Sequence, residues 1–395
     1  MSFQFQYAKH MEKIPSNPIF NLLPKIKEPG FISFAAGIPS ADSFPYQAIA
    51  EITNTLLTTN AADLLQYGTT EGYAPLRKAM SNYIARSGLT PTPGEILITT
   101  GGQQVIDIIC KLFIEPGDVV LVEAPTYSAT LQILKSYRAK PISLAADDDG
   151  ILPEDLEAKI KQYHPKFVYL IPTFQNPSGK TLSEKRREAV AEITGRLQTM
   201  LLEDDPYRDL RYKGEPIPTL KSFDRTGNIL YMTSTSKILC PGFRVGALYA
   251  PQALMPNITV AKQAADMHSA TLPQAIVCAY LESGLLDAHL VKLRDMYRLR
   301  LTAIQDAVQQ FFPKSFVFTN PDGGLFIWCA CPKEYNTLEL LPIAVDRKVA
   351  FIPGDQFFAE DGILNTMRLN FSNESVESIY KGIEILGKLL HEHTN

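Results

Sequence analysis

The sequence predicts an α/β fold in which a larger lobe, built on a mostly parallel sheet between helices, is joined to a smaller α+β lobe. A chain of 395 residues exceeds what one hydrophobic core usually serves, which favours two lobes. Between about Gly94 and Ala250, short apolar runs alternate with longer amphipathic stretches, as in βαβ units. Further on, a long helical pattern precedes strands separated by Gly and Pro, which indicates a distinct α+β unit. We therefore assign residues 46–285 to the larger lobe and residues 1–45 and 286–395 to the smaller one.

Seven short apolar runs predict the strands of the larger sheet. They span residues 96–100, 119–123, 141–144, 167–171, 200–203, 229–232 and 246–249. Among the helical patterns between them, residues 103–113 form an apolar face, and residues 183–196 begin with Ser183, a residue suited to cap a helix. In the smaller lobe we expect helices at 289–312 and 374–391 and strands at 315–319, 325–330, 349–352 and 367–371.

Composition and charge exclude several classes of protein. The 38 basic and 42 acidic residues give a net charge of −4 without a block of Lys or Arg, so nucleic acid is not an expected partner. The start of the chain lacks the apolar stretch of a signal peptide, and no apolar run approaches the roughly 20 residues needed to cross a bilayer. The five cysteines are sparse and show no metal-ligand spacing, so we expect a cytoplasmic protein without a metal site or a membrane partner.

A loop after the predicted strand 229–232 carries an amine, hydroxyls and a guanidinium. Ser234, Ser236 and Lys237 are followed a few residues later by Arg244. Hydroxyls and an Arg fork can satisfy the oxygens of a phosphate, and a Lys amine kept neutral by cationic neighbours can condense with a carbonyl. Taken alone, the same residues also suit a Ser-rich turn with a solvated lysine.

Two other loops offer matching groups. Gly101, Gly102 and Gln103 follow a strand and begin a helix, where free N–H groups and the helix dipole favour an anion, although a tight turn also requires Gly. Asp204 follows another strand, at the edge where open α/β sheets bind ligands, and a carboxylate there can keep a heterocyclic nitrogen protonated. The neighbouring Asp205 is the alternative candidate for this role.

Taken in their order along the chain, the sequence motifs resemble those of the class I and II aminotransferase superfamily of fold type I. The resemblance is closer to the branch of that superfamily that contains 2-aminoadipate, kynurenine and aromatic aminotransferases. The matching stretches are Y-G-T-T-E-G-Y-A-P-L-R (67–77), T-T-G-G-Q-Q (99–104), E-A-P-T-Y (123–127), Q-N-P-S-G (175–179), E-D-D-P-Y (203–207), S-T-S-K with P-G-F-R-V-G (234–246) and M-R-L-N-F-S (367–372). Each motif is weak to moderate alone, but seven in family order are highly specific. The resemblance covers nearly the entire chain and implies that pyridoxal phosphate serves in moving an amino group from an amino acid to a 2-oxo acid such as 2-oxoglutarate.

The resemblance also implies a role for each matching residue. Lys237, Asp204 and Tyr127 would be catalytic: Lys237 as the Schiff-base lysine and the base at the substrate α-carbon, Asp204 at the pyridine nitrogen, and Tyr127 against the ring. The other cofactor contacts would be Asn176 and Tyr207 at the phenolic oxygen, and Gly101, Gly102, Gln103, Ser234, Ser236 and Arg244 at the phosphate. The substrate carboxylate would bind Arg368, assisted by Asn176 and the backbone near Gly37. Tyr67 would reach the phosphate of the neighbouring subunit's site, which implies a homodimer.

One segment departs from the aminoadipate-type relatives, in which an N-terminal helix resembling residues 18–25 can carry an Arg that meets an acidic side chain. Here Phe20 is near that place, so we expect it to bind substrate and to favour aromatic or branched-chain donors over an aminoadipate-like donor, which the resemblance also allows. Two alternatives stay open. A lyase or decarboxylase with the same cofactor would share these motifs, because a fold does not fix the reaction. A ligand-sensing GntR-type regulator would need a DNA-binding module, but only about 30 residues precede the aminotransferase-like start at Phe31.

Overall fold

The structure of the chain is a computed structural model that describes residues 3–8, 11, 24–26 and 28–393. Its strands are β1 (Ile32–Ser33), β2 (Ile96–Thr99), β3 (Val119–Glu123), β4 (Lys140–Leu144), β5 (Ala146–Asp147), β6 (Gly150–Ile151), β7 (Phe167–Leu170), β8 (Met200–Asp204), β9 (Ile229–Ser234), β10 (Gly246–Tyr249), β11 (Val317–Phe318), β12 (Phe326–Ala330), β13 (Val349–Ala350), β14 (Ile352–Pro353) and β15 (Thr366–Asn370). Its α-helices are α1 (Tyr46–Thr59), α2 (Ala61–Leu64), α3 (Ala74–Ala85), α4 (Gly102–Phe113), α5 (Ser128–Ser136), α6 (Pro153–Tyr163), α7 (Glu184–Arg196), α8 (Met255–Asp266), α9 (Thr271–Glu282), α10 (Leu286–Phe311), α11 (Thr337–Asp346) and α12 (Val376–Glu392).

The larger sheet contains seven strands within the described ranges, in the order β2-β10-β9-β8-β7-β3-β4. The pairs from β9 to β4 are parallel, whereas β10 is antiparallel to both of its neighbours. The predicted seven-stranded, mostly parallel sheet is therefore confirmed. Each of its strands also falls within two residues of the predicted bounds, and α7 begins directly after Ser183 in the N-cap position.

Alternate residues of the central strands enter two cores on opposite faces of this sheet. In β7, Phe167 and Tyr169 belong to the main core, whereas Val168 and Leu170 belong to a second core that also contains apolar residues of α6 and α7. This alternation follows from the two-residue period of a strand. Because helices cover both faces, the strands are continuously apolar, which is typical of a parallel sheet.

The smaller sheet has the order β11-β12-β15-β14, and the long helix α10 packs against α12 beside it. The prediction of a single strand at 349–352 was wrong. The structure divides it into β13, where Val349 pairs in parallel with Ile32, and β14, where Ile352 pairs antiparallel with Arg368. The run is continuously apolar and buried. An apolar run does not show that its pairing partner changes midway, so the sequence pattern could not reveal the division.

The structure leaves two expectations about the chain's ends and lobes without a test. Of the helix expected at 18–25, residues 24 and 25 are described and helical, while the rest, including Phe20, lies outside the described residues. The lobe boundary near residue 285 also stays a prediction, although α10 begins at Leu286. Among the helices of the described part, none is both long and apolar enough to cross a membrane.

Candidate active site

A cavity of about 270 Å³ lies beside the carboxyl ends of β7, β8 and β9, and Arg368 of β15 also lines it. Open α/β sheets bind ligands at this edge, because the loops after parallel strands converge there. The cavity brings together most of the residues that the sequence singled out: Gly37, Gly102, Gln103, Tyr127, Asn176, Asp204, Tyr207, Ser234, Ser236, Lys237, Arg244 and Arg368.

Lys237 ends a short 3₁₀ helix, Thr235–Lys237, directly after β9. Its Nζ donates a hydrogen bond to the carbonyl of Gly37 at 2.8 Å. Burial lowers the pKa of Lys237 to about 8; Arg368 and Arg244 act in the same direction, and Asp204 opposes them. The neutral amine, the form that a nucleophile or a general base requires, is therefore far more abundant near neutral pH than for an ordinary lysine.

Asp204, the last residue of β8, is a buried carboxyl facing the cavity. Its Oδ2 accepts a hydrogen bond from the Tyr169 hydroxyl at 2.6 Å. Burial raises the pKa of Asp204 to about 7, while the hydrogen bond from Tyr169 and the charge of Lys237 oppose the rise. A cationic group of a ligand beside this carboxyl would hold it in the ionised form.

Asp205 is buried as well, but it does not line the cavity. Its Oδ2 accepts a hydrogen bond from the Tyr231 hydroxyl at 3.1 Å and lies 3.5 Å from Nη1 of Arg208. Successive residues of an extended strand point to opposite sides. The geometry therefore favours Asp204 over its neighbour as the ligand-facing acid.

Arg368 is a buried cation fixed on several sides. Nη1 donates to Oδ1 of Asn176 at 2.8 Å, and Nη2 donates to the carbonyl of Ala35 at 2.6 Å. The guanidinium lies 4.4 Å from the ring centroid of Phe326 and 5.1 Å from that of Phe357. Within the described part of the chain, its Nε has no acceptor. Burial lowers the pKa of Arg368 to about 10, so it stays charged at neutral pH and can receive a carboxylate.

Two tyrosines and an amide line the same cavity. The hydroxyl of Tyr207 hydrogen-bonds with Asn176, and its ring packs edge-on against Phe326 with the centroids 5.9 Å apart. Tyr127 occupies the N-cap position of α5. Burial raises the pKa of both phenols, so both stay protonated and can donate hydrogen bonds at neutral pH.

A polar cradle for an anion lines the same cavity as Lys237. Ser234 donates from Oγ to Oγ of Ser236 at 2.9 Å, and the guanidinium of Arg244 lines the cavity with them. The backbone N–H groups of Gly102 and Gln103 belong to the first turn of α4, where an α-helix has no acceptor of its own for them. Two hydroxyls, a guanidinium and a helix N-terminus form a donor set suited to a phosphate.

Gly101 supports this cradle without lining the cavity itself. Its φ is +78°, and a Cβ at this position would lie 2.7 Å from Cζ of Arg244. A Cβ at Gly102 would lie 2.9 Å from Cε of Met232. The two glycines therefore let the backbone, the guanidinium and the sheet approach one another closely.

Two of the predicted site residues are not part of this arrangement. Tyr67 is 79% exposed and packs edge-on against His268, with the ring centroids 5.8 Å apart, outside the cavity of its own chain. Phe20 lies outside the residues that the structure describes, so its place in a substrate pocket stays a prediction.

Sequence reasoning missed three aromatic residues around the cavity. Tyr169 holds Asp204, and Phe326 and Phe357 lie against the guanidinium of Arg368. A hydroxyl in the otherwise apolar run of β7 was a signal for Tyr169, because a buried phenol needs a partner. For Phe357, which lies in a 3₁₀ helix after β14, no local pattern indicates the contact.

Comparisons with known proteins identify relatives over almost the whole chain. The family model described as aminotransferase class I and II matches residues 29–386. The chain is 38% identical to aromatic-amino-acid aminotransferase 1 of Thermococcus litoralis, with 99% of this chain and 95% of that protein covered. It is 34% identical to 2-aminoadipate transaminase of Thermus thermophilus, with 99% and 98% covered. Its fold matches the crystal structure of Pyrococcus horikoshii kynurenine aminotransferase in complex with PMP with a TM-score of 0.94, at 35% identity and with 98% of both chains covered.

Proposed function

Because the chain belongs to the family of class I and II aminotransferases, we propose that the cavity around Lys237 is where this pyridoxal-phosphate-dependent enzyme transfers the amino group of an amino acid to a 2-oxo acid. One observation carries the proposal. A lysine amine with a lowered pKa, a buried carboxyl and a buried guanidinium, from Lys237, Asp204 and Arg368, line the same cavity. These are the groups that a carbonyl cofactor, its ring nitrogen and a substrate carboxylate require.

The residues present fit pyridoxal phosphate. The hydroxyls of Ser234 and Ser236, the guanidinium of Arg244 and the first N–H groups of α4 match the oxygens of its phosphate. Glycine at position 102 leaves the space that a Cβ would fill beside Met232. The remaining contacts in the proposal are Asp204 at the ring nitrogen, Asn176 and Tyr207 at the phenolic oxygen, and Tyr127 at the ring face.

When bound, pyridoxal phosphate supplies an aldehyde that condenses with amines and a protonated ring that withdraws electrons from the substrate α-carbon. Lys237 would hold the aldehyde carbon between turnovers, and its released Nζ would take the proton from the α-carbon. Its pKa of about 8 leaves enough neutral amine for this second task. Asp204 would keep the ring nitrogen protonated, and the hydrogen bond from Tyr169 would hold its carboxylate in place.

Arg368 would orient the substrate through its α-carboxylate. Asn176 and Ala35 each accept a hydrogen bond from one of its terminal nitrogens, and each of these nitrogens carries a second N–H that can donate to the carboxylate. Fixing the carboxylate decides which bond at the α-carbon faces the cofactor ring, and alignment of this kind accounts for a large part of catalysis. Because Arg368 would hold the carboxylate, the α-proton is the group expected to leave. This favours transamination over decarboxylation.

The amino donors in this proposal are aromatic or branched-chain amino acids, with 2-oxoglutarate as the acceptor. Among the described residues that line the cavity, the cations are Lys237, Arg244 and Arg368. Each of them is assigned in this proposal to the cofactor or to the α-carboxylate. An acidic side chain would lose hydration there without a dedicated cation to offset it. The acidic side chain of 2-oxoglutarate must therefore be admitted by polar donors of the pocket or by the shift of a side chain. The name of the Thermococcus litoralis relative supports an aromatic donor, whereas the name of the Thermus thermophilus relative gives an acidic one, 2-aminoadipate.

A homodimer in the cytoplasm completes the proposal, with Tyr67 contributed across the interface. Helix α1 buries none of its 14 residues fully within the chain. Tyr46, Leu65 and Tyr67 are 62%, 70% and 79% exposed, and aromatic side chains are enriched at protein interfaces. The five cysteines are free and buried, which agrees with a reducing compartment.

A half-reaction assay tests the reaction itself. The holoenzyme is given an amino acid without an acceptor, and the loss of the absorbance of the lysine-bound cofactor is compared with the 2-oxo acid released. We expect one 2-oxo acid for each cofactor that takes up an amino group, and recovery of the absorbance when 2-oxoglutarate is added and removes that amino group. Steady release of ammonia or carbon dioxide would instead identify a lyase or a decarboxylase. Lys237→Ala is the control that should lose the reaction.

A panel of donors tests the substrate class separately. With 2-oxoglutarate as acceptor, kcat/KM is measured for phenylalanine, leucine, 2-aminoadipate and aspartate. We expect phenylalanine or leucine to lead. A ranking led by either acidic donor would contradict the proposed substrate class and leave the reaction unaffected.

A further inference from the structure

We propose that Lys262 is a positioning residue that fixes the turn at residues 100–102 in the shape that binds the cofactor phosphate. The inference rests on the proposed function, since it takes the phosphate to lie beside Gly102 and Arg244. Lys262 does not line the cavity, so it acts through the residues that it holds.

Lys262 is a fully buried ammonium on α8, and each of its three donors has an acceptor. Nζ donates to Oε1 of Gln104 at 2.9 Å, to Oδ1 of Asp266 at 2.7 Å and to Oγ of Ser269 at 3.1 Å. A buried ammonium is costly unless it is paired and hydrogen-bonded, and here both conditions are met. The arrangement joins α8, which lies outside the cavity, to α4, whose first turn lines it.

The same acceptors hold Thr100. Oε1 of Gln104 accepts a hydrogen bond from the backbone N–H of Thr100 at 2.7 Å. Oδ2 of Asp266 accepts a hydrogen bond from the hydroxyl of Thr100 at 2.8 Å. Oδ2 of Asp266 also accepts a hydrogen bond from Nε2 of Gln104 at 2.7 Å. Burial acts to raise the pKa of Asp266, but the hydrogen bonds from Lys262, Gln104 and Thr100 lower it below its ordinary value, so the carboxylate is an ionised acceptor. Both the backbone and the side chain of Thr100 are therefore fixed by this cluster.

Thr100 connects this cluster to the cradle that is proposed to bind the phosphate. Its carbonyl accepts a hydrogen bond from Nη2 of Arg244 at 3.3 Å, and the next residue, Gly101, has a φ of +78°. A turn with two consecutive glycines has little conformational preference of its own. Its shape depends on neighbouring support, and the cluster of Lys262 supplies it. Lys262 therefore helps to set where Arg244 and the first N–H groups of α4 point.

A comparison of two cofactors separates this role from general support of the fold. Pyridoxal phosphate uses the cradle, whereas pyridoxal lacks the phosphate. Full-length wild type and Lys262→Met are freed of cofactor and titrated with each compound, and binding is followed by absorbance. We expect the affinity for pyridoxal phosphate to fall about tenfold, the size expected for misplaced charge-assisted hydrogen bonds, and the affinity for pyridoxal to change less than about twofold. An equal loss for both compounds, or no loss for either, would overturn the inference.

Lys221→Met is the matched control. Lys221 pairs with Asp224 at 2.8 Å, both side chains are at most 9% exposed, and neither residue lines the cavity. We expect this variant to keep the wild-type ratio of the two affinities. If Lys262→Met does not fold, Gln104→Leu removes the acceptor of the Thr100 N–H and should give the same selective loss of pyridoxal phosphate binding.

Arg244→Ala distinguishes failure of the inference from failure of the proposed function. If Arg244→Ala leaves the affinity for pyridoxal phosphate unchanged, the phosphate lies elsewhere and the proposed function is wrong on this point. If Arg244→Ala selectively weakens pyridoxal phosphate while Lys262→Met and Gln104→Leu do not, the cradle is right and the inference about Lys262 is wrong.

Discussion

At the end of β8, two adjacent carboxyls have different surroundings and therefore different expected tasks. Asp204 faces the cavity and is held by Tyr169, whereas Asp205 is held by Tyr231 and Arg208 away from it. Burial raises the pKa of both carboxyls. In the proposed site only Asp204 meets the cofactor. A cationic ring beside it would therefore offset the cost of burying this ionised carboxyl, whereas Asp205 gains nothing from the cofactor.

We predict that Asp204→Asn still binds pyridoxal phosphate but lowers kcat at least about a hundredfold, because an amide cannot stabilise the protonated ring as a carboxylate does. Asp205→Asn is the matched control. It should lower the midpoint of thermal unfolding, through weaker bonds to Tyr231 and Arg208, and change kcat only a few-fold. Steady-state kinetics and thermal unfolding of both variants check this. If Asp205→Asn lost far more activity than Asp204→Asn, the assignment would have to be reversed.

Tyr169 leads to a second prediction, about pH. The hydrogen bond from Tyr169 lowers the pKa of Asp204, which burial raises to about 7. The ionised carboxylate is the form that binds the protonated ring, so cofactor affinity should weaken as the pH falls through this pKa. In Tyr169→Phe the pKa of Asp204 rises further, and the fall in affinity should begin about one pH unit higher.

Titrations of cofactor-free protein with pyridoxal phosphate, from acid to alkaline pH, check this prediction. Well above both pKa values the wild type and Tyr169→Phe should bind alike, because Asp204 is ionised in both. An unchanged midpoint in Tyr169→Phe would mean that the hydroxyl does not influence Asp204.

At the scale of elements, the sequence predicted the larger sheet better than the smaller one. Buried parallel strands are short, continuously apolar and bounded by polar loops, so their positions can be read from the sequence. The segment 349–352 is equally apolar, but its two halves pair with β1 and β15, and pairing depends on residues more than three hundred and about fifteen positions away in the chain. Local pattern carries no information about such partners.

The turn between β2 and α4 gives a prediction at the same scale. In Gly101→Ala the new Cβ would strain a backbone with a φ of +78° and would meet Arg244 at 2.7 Å from Cζ. We expect weaker binding of pyridoxal phosphate, by about tenfold, together with a small loss of stability. Gly117→Ala is the matched control, because Gly117 has a φ of +97° but no atom within 4 Å of the added Cβ. It should show the loss of stability with unchanged cofactor binding, and equal binding losses in both variants would contradict the explanation.

At the scale of the whole molecule, the cavity depends on residues that are far apart in the sequence. Gly37 lies 200 positions from Lys237, and Asn176 lies 192 positions from Arg368, yet each pair is joined by a hydrogen bond of 2.8 Å. The motifs predicted these residues one by one. They could not predict Tyr169 or Phe326, because these contacts depend on strand register and on how the two sheets meet. The proposed dimer extends the same principle, since Tyr67 is outside the cavity of its own chain.

The proposed dimer makes a prediction that no single chain could satisfy. Tyr67→Ala keeps Lys237, and Lys237→Ala keeps Tyr67, so each variant homodimer should have two impaired sites. In a mixed dimer, the site that contains Lys237 would receive Tyr67 from the Lys237→Ala subunit and would be complete. A statistical mixture should therefore recover about a quarter of the wild-type activity, because about half of the dimers are mixed and each has one complete site. The two variants are co-expressed with different tags, the mixed dimer is isolated through both tags, and its kcat per complete site is compared with that of the wild type. A mixed dimer no more active than the average of its two parents would show that Tyr67 does not act across the interface.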